Sequence, residues 1–337
     1  MDMRQQQAER YREPSFEEAV DIADEVRQWR RDRRKVIAMR VVAALLIILA
    51  IGIGGFPTFL QYQSAQELRN TSNRSAQTVA GWPYPQADET FAAAKAYNRR
   101  LAASGQPILG EAQDPFSQVQ GGSQSSESGA AESNSASAKD KEYQSLLDSG
   151  SGVMGTIRIP KISVRLPIYH GTSQSALASG AGHLYGSSLP VGGRSTHAVI
   201  TGHRGLVEAM MFTRLDEMRV GDYFYIEVMG RTLGYKVDRI SVIEPNDTST
   251  LKIVPGEDRV TLMTCTPYGV NTHRLLVSAV RSAIPGVVPE ERNAAKDART
   301  IAITAAVATL LLGLLLVWLR RRPWHIRRHA AWWPKRG

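Results

Sequence analysis

Two charge-free apolar runs, one near each end, constrain this 337-residue chain more than any other feature. Val41 to Phe56 reads Val-Val-Ala-Ala-Leu-Leu-Ile-Ile-Leu-Ala-Ile-Gly-Ile-Gly-Gly-Phe and continues through Pro57 to Leu60 without a charge. As a helix rising about 1.5 Å per residue, such a run of about 20 residues matches a hydrocarbon core about 30 Å thick. Ile301 to Leu319 is the second run. A cleaved leader fits the first poorly, because residues rich in both charge signs precede it and no small-residue cleavage pattern follows. The flanks set the orientation. Arg27, Arg30, Arg31, Arg33, Arg34, Lys35 and Arg40 precede the first run, and Arg320, Arg321, Arg322, Arg327 and Arg328 follow the second. Cationic flanks remain cytoplasmic, so two membrane spans with both termini cytoplasmic are expected, and residues 61–300 lie on the outer face. Trp318 and Trp324 suit an interfacial aromatic belt at the second span.

That topology reinterprets the net charge of +9. Seven Lys/Arg and no acid fall in residues 320–337, so the excess is largely a C-terminal tail and the outer segment is close to neutral. Nucleic-acid binding, which needs clustered cations on the binding surface, is therefore not expected. No phosphate-cradling glycine loop is visible, and the outer histidines lack metal-ligand spacing, so neither a cofactor nor a metal is expected.

Within the outer segment, Gln61 to Gly105 is polar and alanine-rich, broken only around Gly81-Trp-Pro-Tyr-Pro85, and predicts helical pieces, the best over Glu89 to Leu101. Ser117 to Ala138 is a Ser/Gly/Gln/Glu/Ala run that buries too little apolar surface to order itself, which makes 117–139 a linker. From about Tyr143 the texture becomes one of short alternating runs: Val153 to Ile159, Ala198 to Ile200, Tyr223 to Met229, Leu233 to Ile243, Arg259 to Thr264 and Leu275 to Val280. Gly, Pro and Asp separate them, as in an all-β barrel or sandwich. Short helices are expected over Ser173 to Ala178 and Leu206 to Met218, the latter with Met210, Met211, Leu215 and Met218 as core filler.

Cys265 is the single cysteine, so it cannot form an intramolecular disulfide in what is expected to be an oxidising compartment. It ends an alternating strand and precedes the turn Thr266-Pro-Tyr-Gly, a place where a side chain can face a groove. Many such thiols are simply packed. A nucleophilic one needs a neighbour that takes its proton and returns it to a leaving amine, usually imidazole. His203, in Ile200-Thr-Gly-His-Arg-Gly205, follows a strand and has glycines near it that would leave the ring accessible. His170, His183, His197 and His273 are expected to serve structural hydrogen bonds instead. Arg274 opens the last strand nine residues after Cys265, so a hairpin would bring its guanidinium to the sulfur, where it can hold a substrate or an oxyanion; otherwise it is a solvated strand-end cation.

Thr264-Cys265-Thr266 with Arg274 and Thr201-Gly-His203 resembles the Cys/His/Arg constellation of sortases, the membrane-anchored cysteine transpeptidases of Gram-positive bacteria. The likeness runs through Gly155-Thr-Ile-Arg-Ile-Pro160, Leu166-Pro-Ile-Tyr-His-Gly-Thr172, Ser188-Leu-Pro-Val-Gly-Gly193 and Thr196 to Gly205, covering about residues 143–281. Cys265 to Val277, a second membrane span and the tripeptide Asp114-Pro115-Phe116 resemble the pilus-assembling class C, in which that tripeptide is a lid over the site. Two departures are Ser278-Ala279, where the class often has Arg-Gly, and a longer, more repetitive linker behind the lid.

The resemblance implies a closed, sortase-like β-barrel of about eight strands with short helices. Its expected segments are a cytoplasmic stretch 1–40, a span 41–60, an extension 61–142 holding the lid 114–116 and linker 117–139, a catalytic barrel 143–284, a juxtamembrane linker 285–300, a span 301–319 and a cytoplasmic tail 320–337. It further implies Cys265 as nucleophile and acyl carrier, His203 as general acid and base, and Arg274 as stabiliser of substrate and oxyanion. The partners would be secreted pilin subunits bearing an LPXTG-like motif and an acceptor lysine. The rival expectations are a housekeeping sortase anchoring proteins to cell-wall peptide, a hydrolase using the same thiol, and a non-catalytic membrane-tethered binding module in which Cys265 is only packed.

Overall fold

The computed structural model describes residues 23–109, 135–150, 152–204, 209–284 and 306–311, with isolated positions 16, 21, 286, 313 and 314. The lid tripeptide 114–116, the juxtamembrane linker, the basic tail and most of 117–139 and 301–319 lie outside the described residues. The chain divides into two compact units, residues 1–64 with 207–209 and residues 65–206 with 210–337.

The first unit holds most of helix α1, Ala23–Ala80, which continues through Pro57. Along the apolar run Val41, Val42, Leu45, Leu46, Ile48, Leu49, Ile51, Ile53 and Phe56 are all exposed. A helix whose apolar side chains are bare on every face has no core to join, which is the pattern of a membrane span rather than of an amphipathic surface helix. Among the described residues it is the one helix long and apolar enough to cross a membrane. Residues 306–311 and 313–314, in the second apolar run, are also helical.

The second unit carries the last turns of α1, then α2 Gln86–Ala103, α3 Ala136–Lys139, α4 Lys141–Ser145, α5 Gln174–Ser179 and eight strands. The strands are β1 Val153–Ile159, β2 Val164–His170, β3 Ala181–His183, β4 Thr196–Thr201, β5 Tyr223–Val228, β6 Arg231–Ile243, β7 Asp258–Thr266 and β8 His273–Arg281. They close into a barrel in the order β1-β2-β3-β4-β7-β8-β6-β5. The β2–β3 and β4–β7 pairs are parallel and the others antiparallel. β4 is buried at every position, and β7 at all but its two ends, because both faces of this part of the sheet are covered. Near-continuous apolar runs mark such doubly covered strands.

The six alternating runs read from the sequence are all strands: β1 keeps the expected bounds, β5 ends one residue earlier, and the other four run one or two residues further at one or both ends. β2 and β3 escaped that reading for different reasons. Pro167 interrupts β2 and ordinarily demotes a run from strand status, yet here it pairs with Thr156. β3 is three residues without a β-branched side chain, and its Gly182 is required by contact: a Cβ there would come 2.5 Å from the Gly171 carbonyl oxygen.

Two helical expectations need correction. The described part of 206–218 holds turns and a single 3₁₀ turn, Leu215–Glu217, not a helix with a methionine face. Met211, Leu215 and Met218 are buried through irregular backbone, so the helical spacing had no helix behind it. At the end of the expected linker, residues 136–139 form α3, because Ser135 caps it by accepting a hydrogen bond from the Ala138 amide.

Side chains rather than strand pairing dock the helical extension. Asn98, buried on α2, donates from Nδ2 to the Leu189 carbonyl at 2.9 Å and accepts from the Leu189 amide at 2.7 Å. The Tyr143 hydroxyl of α4 accepts from the Gly171 amide at 2.9 Å and lies 2.9 Å from His183 Nδ1, while His183 Nε2 lies 2.8 Å from the Ser188 carbonyl. A neutral ring donating to Ser188 and accepting from Tyr143 satisfies every partner, and burial pushes the His183 imidazole down to about 4.

Candidate active site

β7 and β8 pair so that Cys265 stands directly opposite Arg274. Opposed residues of an antiparallel pair project from the same face with Cβ atoms about 5 Å apart. The hairpin expected from the nine-residue spacing therefore exists, and its register makes Cys265 and Arg274 a cross-strand pair. Arg274 is only 2% exposed, which excludes a solvated strand end. Its Nη1 donates to the carbonyls of Asn271 and His273, both at 2.9 Å, so the guanidinium is braced by the loop that precedes its own strand.

His203 arrives from the other side of β7. β4 pairs in parallel with β7 as far as Thr201 opposite Met263, after which the Gly202 amide donates to the Met263 carbonyl at 3.1 Å and Thr264 Oγ1 donates to the Gly202 carbonyl at 2.7 Å. These two bonds carry the end of β4 past its last ladder pair and hold His203 in the layer of Cys265. His203 is 8% exposed, and burial pushes its imidazole below the ordinary value of 6.5. Gly202 has a different use from the one its position suggested. A Cβ there would meet the Phe212 ring at 2.7 Å, so the glycine makes room for a buried aromatic rather than for a ligand.

Cys265 is 5% exposed and belongs to a buried apolar cluster with Leu177, Leu184, Val199, Ile243, Leu251, Met263 and Leu276. Leu109 packs against that cluster from the extension. Three residues earlier Gln106 is buried, donating from Nε2 to the Gly186 carbonyl and accepting at Oε1 from the Ile253 amide, both at 2.9 Å. One amide thus joins the loop before β4 to the loop before β7, and the described extension ends with Leu109 against the cluster that holds Cys265. The sequence reading missed Gln106 and Leu109, since neither belongs to a periodic pattern. Arg204, next to His203, was quoted in the motif but given no role; its side chain reaches the Cys265 carbonyl and Thr266.

The remaining outer histidines divide as expected. His170 and His183 are buried in hydrogen bonds of the α4 network, and His197 is buried with Nδ1 2.9 Å from the Lys252 carbonyl and Nε2 2.7 Å from Thr261 Oγ1. His273 is exposed beside Thr272 Oγ1. No group of three His, Cys, Asp or Glu suited to a metal ion occurs among the described residues.

The register sets Cys265 opposite Arg274 near the end of β7, with His203 just beyond the end of the adjoining β4, an arrangement compatible with covalent acyl chemistry. The sortase domain family matches residues 157–282, which include all three groups. Among solved structures, sortase C1 of Streptococcus agalactiae is 39% identical, with a TM-score of 0.54, over 66% of this chain and 100% of that one. Sortase C of Streptococcus pneumoniae is 38% identical, with a TM-score of 0.53, over 65% of this chain and 99% of that one. Sortase A of S. agalactiae is 30% identical over 38% of this chain, and sortase A of Bacillus anthracis 27% over 37%. The chain spans about half the length of these curated relatives, 52% and 58%. Because a solved relative at 39% identity is matched along its whole length on the same closed barrel, this chain belongs to the sortase family, with class C sortases as its structural neighbours.

Proposed function

We propose that this chain is a membrane-tethered class C sortase that cleaves an LPXTG-like motif on secreted pilin subunits and joins the new acyl group to a pilin lysine. The observation that carries the reading is the convergence on β7: Cys265 opposite Arg274 in the β8 register, with the end of β4 pinned to Met263 and Thr264 so that His203 shares their layer. Supporting it, the solved relatives include a sortase C1 from pilus island 1 of group B streptococcus and a pneumococcal sortase C described in terms of pilin substrate specificity.

In this mechanism the Cys265 thiol passes its proton to His203 as sulfur attacks the carbonyl of the motif's Thr. The C–N bond to Gly then breaks, the imidazolium returns the proton to the departing amine, and a thioester remains on Cys265. Arg274 holds the substrate and the negative oxygen of the tetrahedral intermediate. A pilin lysine, giving its proton to His203, attacks the thioester; the C–S bond breaks, an isopeptide bond forms and the thiolate recovers its proton. One amide replaces another, so no nucleotide is consumed. Burial of His203 favours the neutral ring.

The lid belongs to the same proposal. Asp114 would pair with the cationic site and Phe116 would cover the thiol, reached by the chain beyond Leu109, which packs against the cluster that holds Cys265. A housekeeping sortase acting on a cell-wall amine is the second reading, favoured by the sortase A relatives. Incubating the full chain and its Asp114→Ala variant with a sorting-motif peptide, then adding either a pilin lysine donor or a cell-wall peptide amine, separates these. We expect a Cys265-dependent acyl adduct by intact mass, discharged by the pilin lysine and formed faster in Asp114→Ala. Absence of the adduct in both proteins, or an adduct that survives in Cys265→Ala, contradicts transpeptidation through this thiol. Discharge by the cell-wall amine alone moves the assignment to the housekeeping reading.

A further inference from the structure

Arg204 is a cation whose side chain is only 6% exposed, on the residue after His203. Its Nη1 donates to Thr266 Oγ1 at 3.1 Å and, at a longer 3.4 Å, to the Cys265 carbonyl. Its Nη2 donates to Asp216 Oδ2 at 2.5 Å, and the guanidinium lies 5.9 Å from the centre of the Tyr268 ring. One planar fork therefore ties the end of β4, the 3₁₀ turn Leu215–Glu217 and both residues at the end of β7. Its Nε is buried and has no hydrogen-bond partner among the described residues. Burying an unpaired donor is costly, and a carbon chain of similar volume would fill this space without that cost. Packing alone does not account for an arginine here.

We propose that Arg204 is a positioning residue for the Cys265 nucleophile. It fixes the Cys265–Thr266 peptide beside His203, and its charge, anchored at the Cys265 carbonyl, favours the thiolate over the thiol. The assignment rests on the reading of Cys265 as nucleophile. It is distinct from the role given to Arg274, which stands opposite Cys265 on β8 and donates from Nη1 to the Asn271 and His273 carbonyls. Among the described residues, the charged and titratable groups that flank Cys265 along the chain and the sheet are His203 beyond the end of β4, Arg204 at the Cys265 carbonyl with Asp216 as its counter-ion, and Arg274 across the hairpin.

Because the chain contains one cysteine, alkylation by iodoacetamide followed by intact mass reports Cys265 alone. We compare full-length wild type, Arg204→Met, Arg204→Gln and Arg204→Lys in detergent across pH, with thermal unfolding measured on each. The neutral variants should alkylate with a midpoint about one pH unit higher, which makes them about tenfold slower below both midpoints. Arg204→Lys, which restores the charge but cannot bridge both partners, should return the midpoint to within a few tenths of a unit of wild type. Superposable profiles for wild type and either folded neutral variant overturn the proposal. So does a lysine variant as impaired as the neutral ones, or failure of both neutral variants to fold, since each assigns Arg204 to packing. No sorting peptide enters this assay, so a failed acyl transfer with a shifted alkylation profile counts against the transpeptidase reading alone. An acyl adduct with unshifted profiles counts against Arg204 alone.

Discussion

At the scale of residues, the site is a set of side chains whose chemistry depends on being out of water. Cys265, His203 and Arg274 are all buried, and for the imidazole the consequence has a definite sign: burial penalises the charged ring and lowers its titration midpoint. An NMR titration of labelled histidine should place the His203 midpoint below 6.5; a midpoint above it would show that a neighbouring anion outweighs desolvation. All three were identifiable as candidates from residue type and local motif. Arg204 was not, because its significance comes from reaching the carbonyl of a residue 61 positions later. Gly202 was legible as a requirement for a missing side chain, but the Phe212 ring that needs the space is visible only in three dimensions.

At the scale of elements, register positions the chemistry. The β4–β7 pairing and the β7–β8 hairpin each deliver one partner to Cys265, and a slip of one residue in β8 would turn the Arg274 side chain to the opposite face. Helix α2 is coupled to the barrel through the paired hydrogen bonds of Asn98 with both backbone groups of Leu189. Asn98→Ala leaves the buried Leu189 amide unsatisfied, while the Leu189 carbonyl keeps the Val191 amide at 2.8 Å, and should cost about 1 to 3 kcal/mol by denaturant unfolding. A loss no larger than that of an exposed α2 substitution such as Thr90→Ala would mean that water replaces the asparagine. Six strands were readable because their apolar residues alternate. Pro167 hid β2, and β3 is held by its neighbours rather than by its own propensity.

At the scale of the whole molecule, buried histidines make stability depend on pH. His183 and His197 are each pushed down to about 4, first of all by burial, whereas an unfolded histidine titrates near 6.5. Between those values the unfolded chain binds more protons than the native one, so stability is complete above about 6.5 and falls as pH drops toward 4. The thermal midpoint at pH 5 should lie clearly below that at pH 7; equal midpoints would mean that these rings are charged in the native state. The sequence by itself determined the apolar run that forms the exposed part of α1, the all-β character of the barrel and the identity of its nucleophile candidate. Each depends on local composition, periodicity or residue chemistry. Only the tertiary structure decided that the sheet closes with β4 beside β7, that Arg274 stands opposite Cys265, that Leu109 packs against the cluster holding Cys265, and that Arg204 reaches the Cys265 carbonyl. Those relations join residues far apart in the chain, and long-range pairing leaves no mark in the local pattern of either partner.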